Sequence, residues 1–150
     1  MRIVIQRVKS ASVSIDGKVK SSIGRGMMIL VGIEEADTHE DIAWLCKKTV
    51  NLRIFPDEMG IMNKNILDDG GDILVVSQFT LFASTKKGNR PSYIKAARPE
   101  ISVPLYERFC TELSEALMKP VATGTFGADM AVELINDGPV TIIIDSKIKE

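Results

Sequence analysis

The sequence is short of the residues that most often carry enzymatic chemistry. It holds one histidine, two cysteines and one tryptophan in 150 residues. A lone His39, with no His, Cys and Asp cluster around it, predicts neither a structural nor a catalytic metal site. Cys46 and Cys110 are far apart, in no metal-type spacing, and both fall on predicted helices. They read as buried free thiols in a reducing cytoplasm. There is no Gly-x-Ser-x-Gly elbow for a serine nucleophile. No apolar run approaches the roughly 20 residues of a membrane helix, and Met1-Arg2 leads straight into a strand pattern instead of an apolar leader. No repeat, low-complexity tract or linker interrupts the chain. The expectation is one cytoplasmic domain over residues 1–150, with no metal, cofactor or membrane contact. A hydrophobic content of 45% with 26% charged residues suits a soluble domain with a substantial core.

What is present is concentrated in one stretch, Ile73 to Ala83. Ile73 to Val76 is an unbroken apolar run after the turn signal Asp69-Gly70-Gly71-Asp72, which predicts a strand buried on both faces. Ser77, Gln78 and Thr80 then interrupt it before Leu81, Phe82 and Ala83 resume. Buried hydroxyls and amides require hydrogen-bond partners. Those partners are either neighbouring main chain or a ligand at the strand end. Directly afterwards, Ser84 to Pro99 carries Lys86, Lys87, Arg90, Lys95 and Arg98 with no acid, in a chain of net charge −1. The segment is either an ordinary solvated loop or a contact for phosphates.

The remaining pattern gives the fold class. Arg2 to Val8 is a strand with Arg7 on a half-apolar face, and Ala11, Val13 and Ile15 alternate with serines in the next. Asp16-Gly17 predicts a hairpin returning over Lys18 to Ile23, and Met27 to Ile33 is another buried strand. Asp37 or Thr38 caps a helix whose buried stripe is Ile42, Leu45, Cys46, Thr49 and Val50. Leu52 to Phe55 is a short strand, and Ile61 to Leu67 is irregular or weakly extended. Ser102 caps a second helix with Pro104 in its first turn. Leu105, Phe109, Leu113, Ala116 and Leu117 form that helix's stripe. Met130 to Ile135 and Val140 to Asp145 are strands on either side of an Asn136–Pro139 turn. Two helices cannot cover both faces of seven or eight strands. The predicted architecture is therefore α/β: a three-layer α/β/β sandwich, with two helices covering a sheet packed on a second sheet.

Hydroxyls, an amide and main-chain N–H groups suit binding a carbonyl and stabilising an oxyanion. Ser77 or Thr80 could be a nucleophile only with a base, and none is close in sequence. Proton transfer would then fall to water or to the substrate. An activated ester with a neighbouring hydroxyl, such as the 3′ end of an aminoacyl-tRNA, meets that need.

Five segments carry a resemblance. They are Met1-Arg2-Ile3-Val4-Ile5-Gln6-Arg7-Val8, Ser77-Gln78-Phe79-Thr80-Leu81, Lys86-Lys87-Gly88-Asn89-Arg90-Pro91, Phe126-Gly127 with Met130, and Asn136-Asp137-Gly138-Pro139-Val140-Thr141. In order and spacing the chain resembles the D-aminoacyl-tRNA deacylase family over essentially its whole length. That resemblance implies a homodimer, with its active site at the subunit interface, that hydrolyses D-amino acid esters of tRNA. It also implies removal of glycine from mischarged alanine tRNA. It implies that Gly138 and Pro139 are joined by a cis bond and reach into the partner's pocket. Their carbonyls would hold the α-amino group there and exclude an L side chain, with Arg7 bracing the turn. Ser77, Gln78 and Thr80 would line the pocket, and the N–H groups of Phe79 and Thr80 would face the scissile carbonyl. The terminal ribose 2′-hydroxyl, not Thr80, would help activate water. Lys86, Lys87 and Arg90 would meet the acceptor stem. The alternatives are a domain editing L-aminoacyl-tRNA, a non-catalytic RNA-binding accessory, and a serine/threonine hydrolase of small esters.

Overall fold

The computed structural model describes residues 1–149. Its spine is β1 (Arg2–Ile15), a 14-residue strand that joins the two strands expected before and after Val8. Along one edge β1 pairs antiparallel with β8 (Ala131–Asp145). Along the other it pairs first with β3 (Gly26–Gly32), through Arg2 to Val8, and then with β2 (Lys18–Ile23), through Ala11 to Ile15. The tight β1–β2 hairpin turns on Asp16 and Gly17, both at positive φ (51° and 75°), the signature of a primed turn. β3 runs parallel to β6 (Asp72–Ser77), and β6 to the short β7 (Ala122–Thr123).

Among the described residues these strands are hydrogen-bonded into one continuous six-stranded sheet. The expected second layer is supplied by the same sheet curling on itself. Lys20 Nζ donates to the carbonyls of Thr123 and Gly124 (3.1 and 2.8 Å), and Ser21 Oγ to that of Thr123 (2.7 Å). These bonds draw β2 toward β7, so the mixed α/β structure is nearly barrel-like. Long strands such as β1 run through both halves of the curl, which a count of strands cannot reveal.

Among the described residues three helices accompany the sheet. α1 (His39–Asn51) and α3 (Pro99–Leu117) pack on its outer face, and α2 (Ile66–Asp69) is a single short turn. The outer core joins Ile3, Ile5, Met27, Ile29 and Val75 to Leu45, Phe109 and Leu113. The inner core holds Val8, Val13, Met28, Leu74 and Val76, with Met130, Val132 and Leu134 packed against it. Neighbours on β3 and β6 thus go to opposite cores, which is why both read as continuous apolar runs. The α1 stripe is as expected, with Ile42, Leu45, Cys46, Thr49 and Val50 all buried. The Thr49 hydroxyl finds no partner among the described residues, a local cost of burying it.

Several boundaries differ from the sequence reading. α3 begins at Pro99, whose fixed φ suits the first helical position, so Ser102 lies inside the helix and donates to the Arg98 carbonyl (3.0 Å). Pro104 consequently sits beyond the first turn. Of the expected 52–55 strand only Phe55 pairs, in β4 (Phe55–Pro56) against β5 (Met62–Lys64). The central stretch leaves the sheet after Ser77, and Phe79–Phe82 forms a 3-10 turn. The 131–145 segment is one strand where two were expected.

Asp41 ties the start of α1 to the chain's end. Its carboxylate accepts the Thr38 backbone N–H and Lys147 Nζ (each 2.8 Å). Close by, the Met1 amino group pairs with Asp37 and donates to Ser146 Oγ. Burial alone would push the Asp41 carboxyl up. Hydrogen bonds from Lys147, Ser146 and Thr38, with the nearby amino terminus, outweigh it and hold the carboxyl well below the usual carboxylate range. The stabilisation is therefore complete above about pH 4 and is lost as pH falls through the lower, folded value. Asp41→Asn is expected to cost roughly 1 kcal/mol at neutral pH and to make the acid-side fall in stability shallower. Urea unfolding at pH 7 and at pH 3 checks this; an unchanged difference between the two would disprove it.

Candidate active site

A cavity of about 560 Å³ opens where β3 and β6 end. Ser77, Gln78 and Phe79 line one side, Phe126 and Met130 another, and Tyr93 and Ser102 a third. The polar wall follows from the way β6 terminates. Gln78 N–H makes one last ladder bond to the Val31 carbonyl (2.7 Å), and the backbone then turns, with Leu81 N–H returning to the Gln78 carbonyl (3.3 Å). Gln78 Nε2 donates to Thr80 Oγ1 within the same turn. Side chains that bond locally compete with the ladder, and here they replace it. Phe79 and Thr80 are the first residues of a 3-10 turn, so their N–H groups have no i−3 carbonyl inside it. Phe79 is 56% exposed and meets Tyr93 edge-on, ring centroids 5.0 Å apart.

Thr80 differs from its expected place. Its side chain is not among those lining the cavity; its hydroxyl serves Gln78 instead. The floor is fixed from beneath by Tyr106, which donates to the Val75 carbonyl (3.1 Å) and packs on Phe126. Burial pushes the Tyr106 hydroxyl up, so it remains a protonated donor. Gly124 makes room for the Met130 side chain: a Cβ there would lie 2.4 Å from the Met130 sulfur. Among the described residues no three of His, Cys, Asp and Glu converge as a metal cage. Burial also raises both thiols, Cys46 to about 12 and Cys110 to about 11, so neither is a thiolate near neutral pH.

Arg7, Gly138 and Pro139 form a second feature, and neither Gly138 nor Pro139 lines the cavity of its own chain. Gln6 pairs with Thr141 and Val8 with Asn136, so the single residue Arg7 faces residues 137–140 of β8. The surplus backbone bulges out of the sheet as an exposed corner, and the Gly138–Pro139 bond in it is cis. Arg7 underpins the corner. Its Nε donates to the Asp137 carbonyl (3.0 Å) and its Nη1 to the Ile54 carbonyl (2.6 Å). Gly138 has φ 129°, and a Cβ there would sit 2.9 Å from Arg7 Nη2, so both conformation and space call for glycine. Asn136 clamps the base, accepting Val140 N–H (2.9 Å) and donating to Thr141 Oγ1 (3.1 Å).

Lys86, Lys87 and Arg90 are all exposed, on a loop closed by reciprocal backbone bonds between Ser84 and Ser92 (2.8 and 2.9 Å). Tyr93 follows directly and reaches the cavity wall, so the loop springs from the cavity's rim. Sequence reasoning gave Ser102 only a capping role and assigned nothing to Asp129, which also lines the cavity. Ser102 arrives through the start of α3, a placement no local pattern announces.

With this geometry in view, three comparisons bear on identity. Residues 4–145 match the family model described as D-Tyr-tRNA(Tyr) deacylase. A protein of Bacteroides thetaiotaomicron named D-aminoacyl-tRNA deacylase is 76% identical over the full length of both chains. One of that name from Dechloromonas aromatica is 60% identical, again over both full lengths. Among solved structures, one described as c-Myc DNA Unwinding Element Binding Protein superposes with a TM-score of 0.92 at 40% identity, covering 97% of this chain and 98% of that one. Another, described as a probable eukaryotic D-amino acid tRNA deacylase, superposes at 0.81 with 19% identity over 95% and 97% of the two chains, which speaks to the fold alone. On the family match and the full-length relatives together, the chain belongs to the D-Tyr-tRNA(Tyr) deacylase family.

Proposed function

We propose that the protein hydrolyses the ester of D-aminoacyl-tRNA, and of glycyl-tRNA(Ala), releasing the amino acid and tRNA with a free 3′ end. The protein acts as one unit in the cytoplasm, as a homodimer whose active site is completed across the interface. The observation that carries the reading is the pairing of a largely apolar cavity, polar along its Ser77–Gln78 wall, with an exposed backbone corner that does not belong to that cavity in the same chain. A second copy supplies the corner. Two features favour such a partner: among the described residues the 15-residue β8 pairs only with β1, and its Ile135 and Ile143 are 56% and 68% exposed.

In this reading the aminoacyl ester enters the cavity beside Ser77, Gln78 and Phe79. The N–H groups of Phe79 and Thr80 stabilise the charge that develops on the scissile carbonyl oxygen. The terminal ribose 2′-hydroxyl assists a water molecule, which adds to the carbonyl carbon. The C–O bond to the ribose 3′ oxygen then breaks, and that oxygen takes up the proton. The partner's corner, through the carbonyls of Gly138 and Pro139, grips the α-amino group and leaves no room for an L side chain. A filter made of main chain tests handedness without reading side-chain identity, and Arg7 keeps it from yielding. Lys86, Lys87 and Arg90 follow the acceptor-stem phosphates.

Purified protein is expected to release tyrosine from D-tyrosyl-tRNA and to leave L-tyrosyl-tRNA intact. Loss of the L ester would instead indicate an L-editing enzyme, and loss of neither a binding protein. Thr80→Ala is expected to keep activity within about tenfold, roughly 1.4 kcal/mol of barrier; complete loss with tRNA binding intact would establish Thr80 as a nucleophile. Replacing Lys86 and Lys87 together by alanine is expected to weaken tRNA binding and to reduce the slope of log affinity against log salt by about 1.4 to 1.8. An unchanged slope would remove the loop from the interface.

A further inference from the structure

The 3-10 turn Phe79–Phe82 presents the main-chain donors on which the proposed chemistry depends. At its two ends the Leu81 amide donates to the Gln78 carbonyl (3.3 Å) and the Ala83 amide to the Thr80 carbonyl (3.0 Å). Its far end is held from outside. Arg2 Nη1 donates to the Leu81 carbonyl (2.8 Å), and the guanidinium lies over the Phe82 ring, 4.9 Å from the centroid. The guanidinium is aimed by Asp145: Arg2 Nε and Nη2 both donate to Asp145 Oδ2 (3.0 and 2.9 Å). Asp145 is oriented in turn by the Lys147 backbone N–H on its other oxygen (2.9 Å). Gly32 completes the cradle. It pairs with Arg2 across β1 and β3, and a Cβ on it would lie 2.9 Å from the Leu81 Cβ and 3.1 Å from the Gln78 carbonyl oxygen. Arg2 and Gly32 thus hold the turn from one rung of the sheet, one by bonding and one by leaving space.

We propose that Arg2, aimed by Asp145 and paired with Gly32, is a positioning residue that sets the orientation of the Phe79–Phe82 turn for carbonyl activation. The proposal rests on the deacylase reading above. An arginine that only stabilised the fold through an ion pair would affect unfolding and leave the turn's geometry alone. A positioning arginine affects the transition state more than substrate binding.

The test uses Arg2→Met, Arg2→Lys and, as a control just beyond the end of β8, Lys147→Met, whose side chain reaches Asp41 and the Ala36 carbonyl and not the turn, and whose backbone N–H to Asp145 the change retains. Each is measured for kcat and KM on D-tyrosyl-tRNA and for amide hydrogen exchange of the native protein. Arg2→Met is expected to lower kcat about tenfold with KM within twofold, and to speed exchange at the Leu81 and Ala83 amides at least tenfold while the Gln78 amide stays protected. Arg2→Lys, which keeps a donor for the Leu81 carbonyl, is expected to recover part of both. Lys147→Met is expected to leave kcat unchanged. Wild-type kcat in Arg2→Met, unchanged exchange at the turn, or an equal loss in Lys147→Met would overturn the proposal. Should Arg2→Met not fold, Arg2→Lys at both wild-type kcat and wild-type exchange overturns it alone. Inactive wild-type protein would instead defeat the deacylase reading, and the exchange data would still decide whether Arg2 orders the turn.

Discussion

The constraint on which most else depends is a mismatch of length between two paired strands. β1 and β8 run side by side for nearly their whole extent, yet Arg7 stands against residues 137–140. A ladder cannot absorb that surplus in plane, so the backbone leaves the sheet and β1 must fill the gap beneath it. A long, forked donor is suited to the gap because the displaced stretch presents carbonyls. Arg7 spends one donor there, on the Asp137 carbonyl, and a second on the Ile54 carbonyl beside it. Burying a guanidinium is tolerable only with such partners. The corner is thereby fixed by the strand that gave rise to it.

The same economy marks the cavity. Its polar wall arises where β6 stops pairing, and the groups it offers are hydroxyl, amide and main-chain N–H. None needs to change protonation near neutral pH. Chemistry built on such groups asks for accurate placement more than for tuned acidity. Placement comes from the parallel β3–β6 pair, with cores on both faces, and from glycines that leave room at Gly32 and Gly124.

Much of this was legible in the sequence where the cause was local. The double-sided burial of β3 and β6 was visible in Met27 to Ile33 and Ile73 to Val76. The α1 stripe matched residue for residue because one helix face meets one core. The readings failed where a distant partner decides. Leu81 and Phe82 look like a resumed strand; they are a turn because Gly32 and Arg2, some fifty and eighty residues earlier, receive them. Asn136 to Pro139 looks like a break between strands, and it is a bulge because β1 continues past it. The curl of the single sheet was likewise not legible, since curling is a property of pairings that alternation along one strand does not encode. The proposed site residues were reachable through motif resemblance, whereas Ser102 entered only through the start of α3.

The high, burial-raised thiols have a consequence for upkeep. Peroxides and disulfides attack thiolates, and the scarcity of thiolate at Cys46 and Cys110 leaves such oxidants little to react with. The sulfurs within their reach are methionines: Met59 and Met118 on the surface outside the cavity lining, and the partly exposed Met130 on it. Oxidative stress silences enzymes that work through an ionised cysteine; here it meets no such thiolate, and the oxidisable sulfur on the cavity wall is the partly exposed thioether of Met130.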